Sequence, residues 1–295
     1  MTILASFSAS RQASAPVELA VQIARTTGEP IVVAAVVERR MPKSVDPIED
    51  EYIDFVTVRA ERALHGAVDV LPESTGVTVE TVQARSIPDG LMAAAGSHDA
   101  SIVTLGSSSS GLLGRIALGS VTERLVHTAR VPVAIAPRGY RPGSVPVTRL
   151  TVAYGGHADN NGLIKAAGEM AEQWGVPLRI ASFVVRDLSP QATSIAVDVR
   201  EGEDIVLGAW WKKTRESIDQ QLEQARDSVK TLADVAVGTG PDWSSAVDSI
   251  PWLPGELMLV GSGAAGPRQQ VFLGSAAGRI LRASSVPVII MPKAD

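Results

Sequence analysis

The chain repeats itself, and that repeat restricts the folds open to it more than any other feature. Gly106-Ser107, Leu118-Gly119-Ser120 and Val131-Pro132-Val133 return as Gly261-Ser262, Leu273-Gly274-Ser275 and Val286-Pro287-Val288, at a constant offset of 155 residues. Upstream, the order strand, helix, strand is written twice at an offset of 147 residues. MTILASF, SAPVELAVQIARTTG and EPIVVAAVVERR are matched by RLTVAYGG, NGLIKAAGEMAEQWG and VPLRIASFVVRD. Self-similarity of this kind makes each copy one structural unit. The first helix has Pro16 near its start and Gly28 at its close, the usual asymmetry of helix ends.

Each copy continues with a charged stretch of helical period, DPIEDEYIDFVTVRAERALHGAVDVL in the first and KKTRESIDQQLEQARDSVKTLADV in the second. A third strand follows, GVTVETVQA or the weaker VAVGTG. A short helix, an apolar strand (DASIVTL or GELMLV), a Gly/Ser loop, a last helix and a final strand (VPVAIAP or VPVIIMP) complete the copy. Strands that are apolar throughout and alternate with helices indicate a parallel sheet covered on both faces. The expected fold class is α/β, with two doubly wound domains at 1–138 and 149–295 and a Pro- and Gly-rich linker at 139–148.

Composition narrows the function. At 295 residues, 45% hydrophobic and 20% charged, the chain has material for two cores. A net charge of -5 without a cluster of lysine or arginine offers no electrostatic footprint for nucleic acid or for an anionic membrane. With no cysteine, disulfides, thiolate zinc sites and a cysteine nucleophile are excluded, which suits a reducing cytosol. MTILASFSAS has no basic residue before its apolar run, and no stretch reaches the roughly 18 apolar residues of a membrane span. A soluble cytoplasmic protein is expected. His65, His98, His127 and His157 are scattered without metal-ligand spacing. GSSSSG at 106–111 is not the GxSxG elbow of a serine hydrolase.

On these residues the chain resembles the universal stress protein family in its tandem two-domain form. The family's loop has the pattern GxxGx9G[ST] after the fourth strand, followed by a helix and a Val-Pro-Val strand. The first copy supplies Gly106 and Gly119-Ser120 in register, and the second supplies Gly261 and Gly274-Ser275. The resemblance covers essentially the whole chain. It implies a five-stranded parallel sheet with helices on both faces in each domain, and dimerisation through the last strand. In a tandem chain the two halves would pair with each other in that way, and a homodimer and an unidentified protein partner are also expected. Some members bind ATP and others do not, and the resemblance implies no single reaction. The expectation is a non-enzymatic cytoplasmic stress-response or regulatory module with a degenerate site for ATP or another adenine nucleotide in the first domain. An interaction scaffold that binds no nucleotide, and a weak ATP-hydrolysing enzyme, stay open as alternatives.

A phosphate needs convergent backbone N–H groups, best at a helix N-terminus. The candidate contacts are Ser8, Ser10, Val36, Gly106, Ser109, Arg115, Gly119 and Ser120 in the first domain, and Gly261, Gly274 and Ser275 in the second. Two departures from the family pattern bear on them. Its second loop glycine is Ser109 in one copy and Ala264 in the other, which costs about 1 kcal/mol or more if positive φ is required there. Its aspartate after the first strand is replaced by Ser8 and Gly155, a loss of about 1–3 kcal/mol, or roughly tenfold to a hundredfold in affinity. Structural roles compete with the ligand roles. SVTE, Ser120 to Glu123, reads as a capping box, Ser275 as a plain N-cap, and Gly106 and Gly261 equally well as tight turns. YGGHADNNG reads as a Gly-Gly turn into a helix capped by Asp159, Asn160 or Asn161. The five tryptophans, Trp174, Trp210, Trp211, Trp243 and Trp252, are expected in packing roles.

Overall fold

The computed structural model describes residues 1–8, 14–40, 42–43, 45–71, 76–154, 161–185, 231–261 and 275–292. The first copy contains β1 (Thr2–Phe7), α1 (Ala15–Thr27), β2 (Ile31–Glu38), α2 (Pro47–Val68), β3 (Val77–Ala84), α3 (Ile87–Ser97), β4 (Ala100–Gly106), α4 (Ser120–Thr128) and β5 (Val133–Ala136). The second contains β6 (Arg149–Ala153), α5 (Asn161–Trp174), β7 (Leu178–Val185), β8 (Leu232–Gly240), α6 (Trp243–Asp248), β9 (Glu256–Gly261), α7 (Ser275–Ala283) and β10 (Val288–Met291). As expected, α1 starts with proline in its first turn, and Gly28 closes it in the left-handed conformation at φ 73°. One boundary differs. Leu232 to Val235, the end of the charged stretch read as helical, belong to β8, because β8 pairs with β7 along its length. Residues 212–230 of that stretch lie outside the described residues.

The ten strands of the described residues form one sheet, in the order β3-β2-β1-β4-β5-β10-β9-β6-β7-β8. Pairing is parallel within each copy and antiparallel at the joint, where Val288, Ile289 and Ile290 of β10 face Ile135, Ala134 and Val133 of β5. The pairing of last strands therefore occurs inside one chain, and each copy covers the other's fifth-strand edge. Both faces of the sheet are buried. One core gathers α1, α2 and α5 over residues such as Ile3, Val33, Val152 and Ile289. The other gathers α3, α4, α6 and α7 over Leu4, Val103, Met258 and Val288. Each core runs through both copies, so the joint is held by packing on two faces as well as by backbone hydrogen bonds.

The segment between the copies is fastened to α1. The Tyr140 hydroxyl donates to Gln22 Oε1 at 2.6 Å, and Arg25 donates to the Gly143 carbonyl at 2.5 Å. The Val147 N–H donates to Thr26 Oγ1 at 2.8 Å. Burial pushes the Tyr140 phenol up to about 12, despite the opposing hydrogen bond with Gln22. In the unfolded chain tyrosine ionises near pH 10. Tyr140 therefore contributes stability that is complete below about pH 10 and is lost as pH rises towards about 12. Urea titrations across this range should show the wild type losing about 2 kcal/mol relative to Tyr140→Phe. Parallel profiles would mean that the phenol is solvated.

A polar cluster crosses the amino ends of the second copy's strands. Arg179, fully buried, donates to Glu256 Oε1 at 2.5 Å, to Thr151 Oγ1 at 3.0 Å and to the Pro251 carbonyl at 2.9 Å. Its guanidinium lies 5.0 Å from the centre of the Trp252 ring. The other oxygen of Glu256 accepts from Arg149 and from the Leu253 N–H, both at 2.8 Å. At the corresponding positions the first copy has Thr2, Leu4, Val32 and Ser101. The two halves thus share a topology but close this end of the sheet with different chemistry.

Candidate functional site

Strand order reverses between β1 and β4 in the first copy and between β6 and β9 in the second. In open parallel sheets, ligands collect beyond the carboxyl ends of the strands at such a switch. In the first copy this edge carries Phe7 and Ser8 after β1, Gly106 at the end of β4, and the loop 107–119 leading into α4. Gly106 permits a close approach. A Cβ there would lie 3.2 Å from Pro16 Cγ at the start of α1. Gly261 repeats the arrangement, with its Cβ position 3.2 Å from Leu163 Cδ2 of α5, and Pro16 and Leu163 are themselves repeat partners. Both glycines are the last residues of their strands, β4 and β9, and neither has positive φ, so the tight-turn reading gives way to one of helix packing. Thr104 Oγ1 donates to the Pro16 carbonyl at 2.8 Å and fixes α1 against β4.

The serine loop is closed on itself. The Ser107 N–H donates to the Ala136 carbonyl at 3.0 Å and the Ser108 N–H to the Ala117 carbonyl at 2.8 Å. Ala117 N–H returns a bond to Ser107 Oγ at 2.7 Å. Ser108 Oγ lies 2.9 Å from Ser110 Oγ, and the Gly111 N–H donates to the Ser108 carbonyl at 3.2 Å. Gly114 N–H donates to the Arg138 carbonyl at 2.9 Å, and the Arg138 guanidinium donates to the Gly111 carbonyl at 2.6 Å. Positive φ in this loop falls on Gly114, at 74°. Ser109 does not have it: the left-handed non-glycine among the described residues is Asp99. Serine in place of the family's glycine is therefore unstrained at 109.

Donors remain at the start of α4. Gly119 is its N-cap, at φ -92° and ψ 169°, with no side-chain capping bond. This corrects the capping-box expectation. Ser120 is the first helical residue rather than the N-cap, so its hydroxyl sits one position too far along to cap the N–H groups of the first turn. A Cβ on Gly119 would meet Ser108 Cβ at 3.6 Å, an ordinary contact.

The other candidates are distributed. Val36 packs on the α3 side of β2, where a Cβ on Gly90 would come within 2.6 Å of Val36 Cγ1. Ser8 is exposed, and Ser10 lies outside the described residues. Arg115 reaches the second copy instead of the strand edge. It makes a two-pronged pair with Asp248 at the end of α6, at 2.9 and 2.5 Å, and donates to the Ala283 carbonyl at the end of α7. The hydrogen bond to Asp248 holds its pKa above the ordinary arginine value, outweighing burial. In the second copy Gly274 and Ala264 lie outside the described residues, as do Gly155, the residues named as caps up to Asn160, His157 and Trp210-Trp211; for Asn161 and Ser275 only the backbone is described. Trp174, Trp243 and Trp252 pack against the cores as expected. Sequence reasoning missed the Arg115 partner because Asp248 is 133 residues away and carries no motif.

Among the described residues no group of three or more His, Asp or Glu side chains is arranged to hold a metal, and no helix is long and apolar enough to cross a membrane. The model of the Universal stress protein family matches residues 1–137 and 146–292. A universal stress protein of Mycobacterium tuberculosis is 30% identical over 296 residues, covering 99% of this chain and 100% of that protein. Among solved structures, a universal stress protein from Archaeoglobus fulgidus superposes with a TM-score of 0.59 at 19% identity, covering 99% of this chain and 98% of its own. A functionally unknown protein from Pseudomonas aeruginosa gives 0.56 at 13% identity, over 98% and 92%. These two structures share the fold.

Proposed function

The chain belongs to the universal stress protein family, and from that footing we propose that it is a non-enzymatic regulatory module of the cytoplasm whose first copy binds ATP or another adenine nucleotide through the first turn of α4. The observation that carries this reading is the division of donors at the switch point. The loop's N–H groups at Ser107, Ser108, Gly111, Gly114 and Ala117 are committed to the loop itself and its neighbours. The first-turn N–H groups of α4 begin at a glycine cap that has no side chain to occupy them. The helix dipole favours a phosphate at that place. Gly119 and Ser120 then hold phosphate, Gly106 and Ser109 shape the approach, Ser8 stands where the family has a carboxylate, and the nucleoside end is assigned to Val36 and to Ser10, which lies outside the described residues. Arg115 acts through the loop, which it ties to α6 and α7. In the second copy, Gly261 serves the fold by packing against α5. Residues 107–119 include no aspartate, glutamate or histidine, so the loop supplies no general base for hydrolysis.

Calorimetric titration with ATP tests the site, using the wild type and Gly119→Val. The backbone at 119 accepts any residue, and the capping loss is about 1 kcal/mol, so the fold is retained. Branched methyl groups at the cap cover the first-turn donors, and affinity should fall by roughly tenfold or more. Equal affinities would move the phosphate elsewhere. No heat from the wild type at millimolar ATP would remove the nucleotide reading. The closed serine loop and the engaged Arg115 favour a second reading, a homodimeric interaction scaffold, under which ATP has no effect and self-association remains.

A further inference from the structure

The α2 helix carries an apolar stripe on its outer side. Ile48, Tyr52, Phe55 and Val58 are 80, 64, 59 and 45% exposed, while Ile53, Ala60 and Leu64 face the core. The stripe continues as Arg59, Arg62 and Gly66, all exposed. With Val58 on its flank, the seam Ile48, Tyr52, Phe55, Arg59, Arg62 and Gly66 advances in steps of four, three, four, three and four residues, the spacing of a coiled coil. We propose that this seam is a homodimer surface, on which two copies of the chain pack α2 against α2 in antiparallel about a two-fold axis beside Val58. The proposal rests on the homodimer of the second reading above and holds whether or not the first copy binds nucleotide.

The argument is self-complementarity, which a two-fold interface requires. Reversing the direction of the seam leaves its spacing unchanged, so two antiparallel copies meet layer on layer. Tyr52 faces Arg62 of the second copy, and Phe55 faces Arg59. These are aromatic–guanidinium pairs, favourable when the cation lies over the ring. The same chemistry already operates within one helix, where the Arg59 guanidinium lies 5.7 Å from the centre of the Phe55 ring. Ile48 faces Gly66, where a Cβ would meet nothing within 4 Å, leaving a notch for the larger side chain. Glu51 lies beside His65, and Val58 meets its own copy near the axis. A parallel pair would instead set Arg59 on Arg59 and Arg62 on Arg62, so charge selects the antiparallel direction. The fifth-strand edges are unavailable for such a dimer because they pair inside the chain.

Sedimentation of the full chain over a concentration series tests both the dimer and its surface. The wild type should associate. Phe55→Arg, which opposes Arg59 of the other copy with a second arginine, should weaken association by roughly a hundredfold. The swap Phe55→Arg/Arg59→Phe should restore it, because each arginine again faces a phenyl ring. Both positions are exposed, and unchanged thermal unfolding would show that the fold is intact. The chain has no cysteine, so Ile48→Cys/Gly66→Cys adds an orientation test. The two positions are about 27 Å apart along one helix, too far for a short bis-maleimide within one copy, and antiparallel copies should be cross-linked into dimers. Neither single variant should be. A wild type that stays monomeric would overturn both the homodimer and this surface. A dimer that survives Phe55→Arg, or that is cross-linked by the single variants, would keep the homodimer and overturn the surface.

Discussion

Glu256→Gln should lower the stability of the protein by about 3–5 kcal/mol, the cost of leaving a buried charge without its partner. Arg179 is fully buried, and burial pulls its pKa down, with Glu256 acting in the opposite direction. Glutamine preserves the shape and some hydrogen bonds but removes the carboxylate in contact with Arg179, leaving only the more distant influence of Asp234 among the described residues. It also leaves Arg149, 13% exposed at its side chain, with Asp234 at 4.0 Å as its one carboxylate partner among the described residues, beside the Pro251 carbonyl at 3.4 Å. The loss is therefore larger than the net value of the ion pair. Buried pairs replaced on both sides by apolar residues are often neutral. Replacing all three charges, Arg149→Leu/Arg179→Leu/Glu256→Leu, should recover at least half of the deficit in guanidinium denaturation. A single variant that loses less than about 1 kcal/mol would show that water reaches the cluster.

Gly255→Ala is expected to cost about 2–4 kcal/mol. Gly255 has φ 81°, and a Cβ there would lie 2.3 Å from the Pro146 carbonyl oxygen and 2.9 Å from Val145 Cγ1. The carbonyl of Gly255 also accepts the Thr148 N–H at 3.1 Å, so the strand start and the connecting segment move together. Gly175 provides the control. Its φ is 65°, but a Cβ there meets nothing within 4 Å, so Gly175→Ala should incur only the backbone cost of about 1–2 kcal/mol. A larger loss at 255 than at 175 measures the docking of the connecting segment on β9. Equal losses would show that the segment yields freely.

The repeat made most of the fold legible. Two offsets, 147 and 155, place every motif of one copy on the other, and the apolar strands between helices leave parallel layering as the economical solution. Even the packing role of Gly106 has a trace in sequence, since Gly261 shares it and the residues they approach, Pro16 and Leu163, are repeat partners. The joint between β5 and β10 has no local signal and entered only through the resemblance. Arg179 and Glu256 were illegible for a different reason. Each is a lone charge at the start of an otherwise apolar strand, and only the adjacency of β6, β7 and β9 brings them together. The Ser120 cap failed by one residue, because helix ends depend on backbone geometry that a motif does not fix. At the site itself, the glycines and serines identified the loop, but not whether its donors face outward. That is decided by long-range partners such as Ala136, Arg138 and Asp248.

Amide hydrogen exchange with and without ATP addresses the division of donors directly. Nucleotide bound on α4 should slow exchange at Ser120, Val121 and Thr122, while Ser107, Ser108 and Gly111, already hydrogen bonded, exchange at unchanged rates. Protection appearing in the serine loop or in the second copy, with α4 unaffected, would contradict the account.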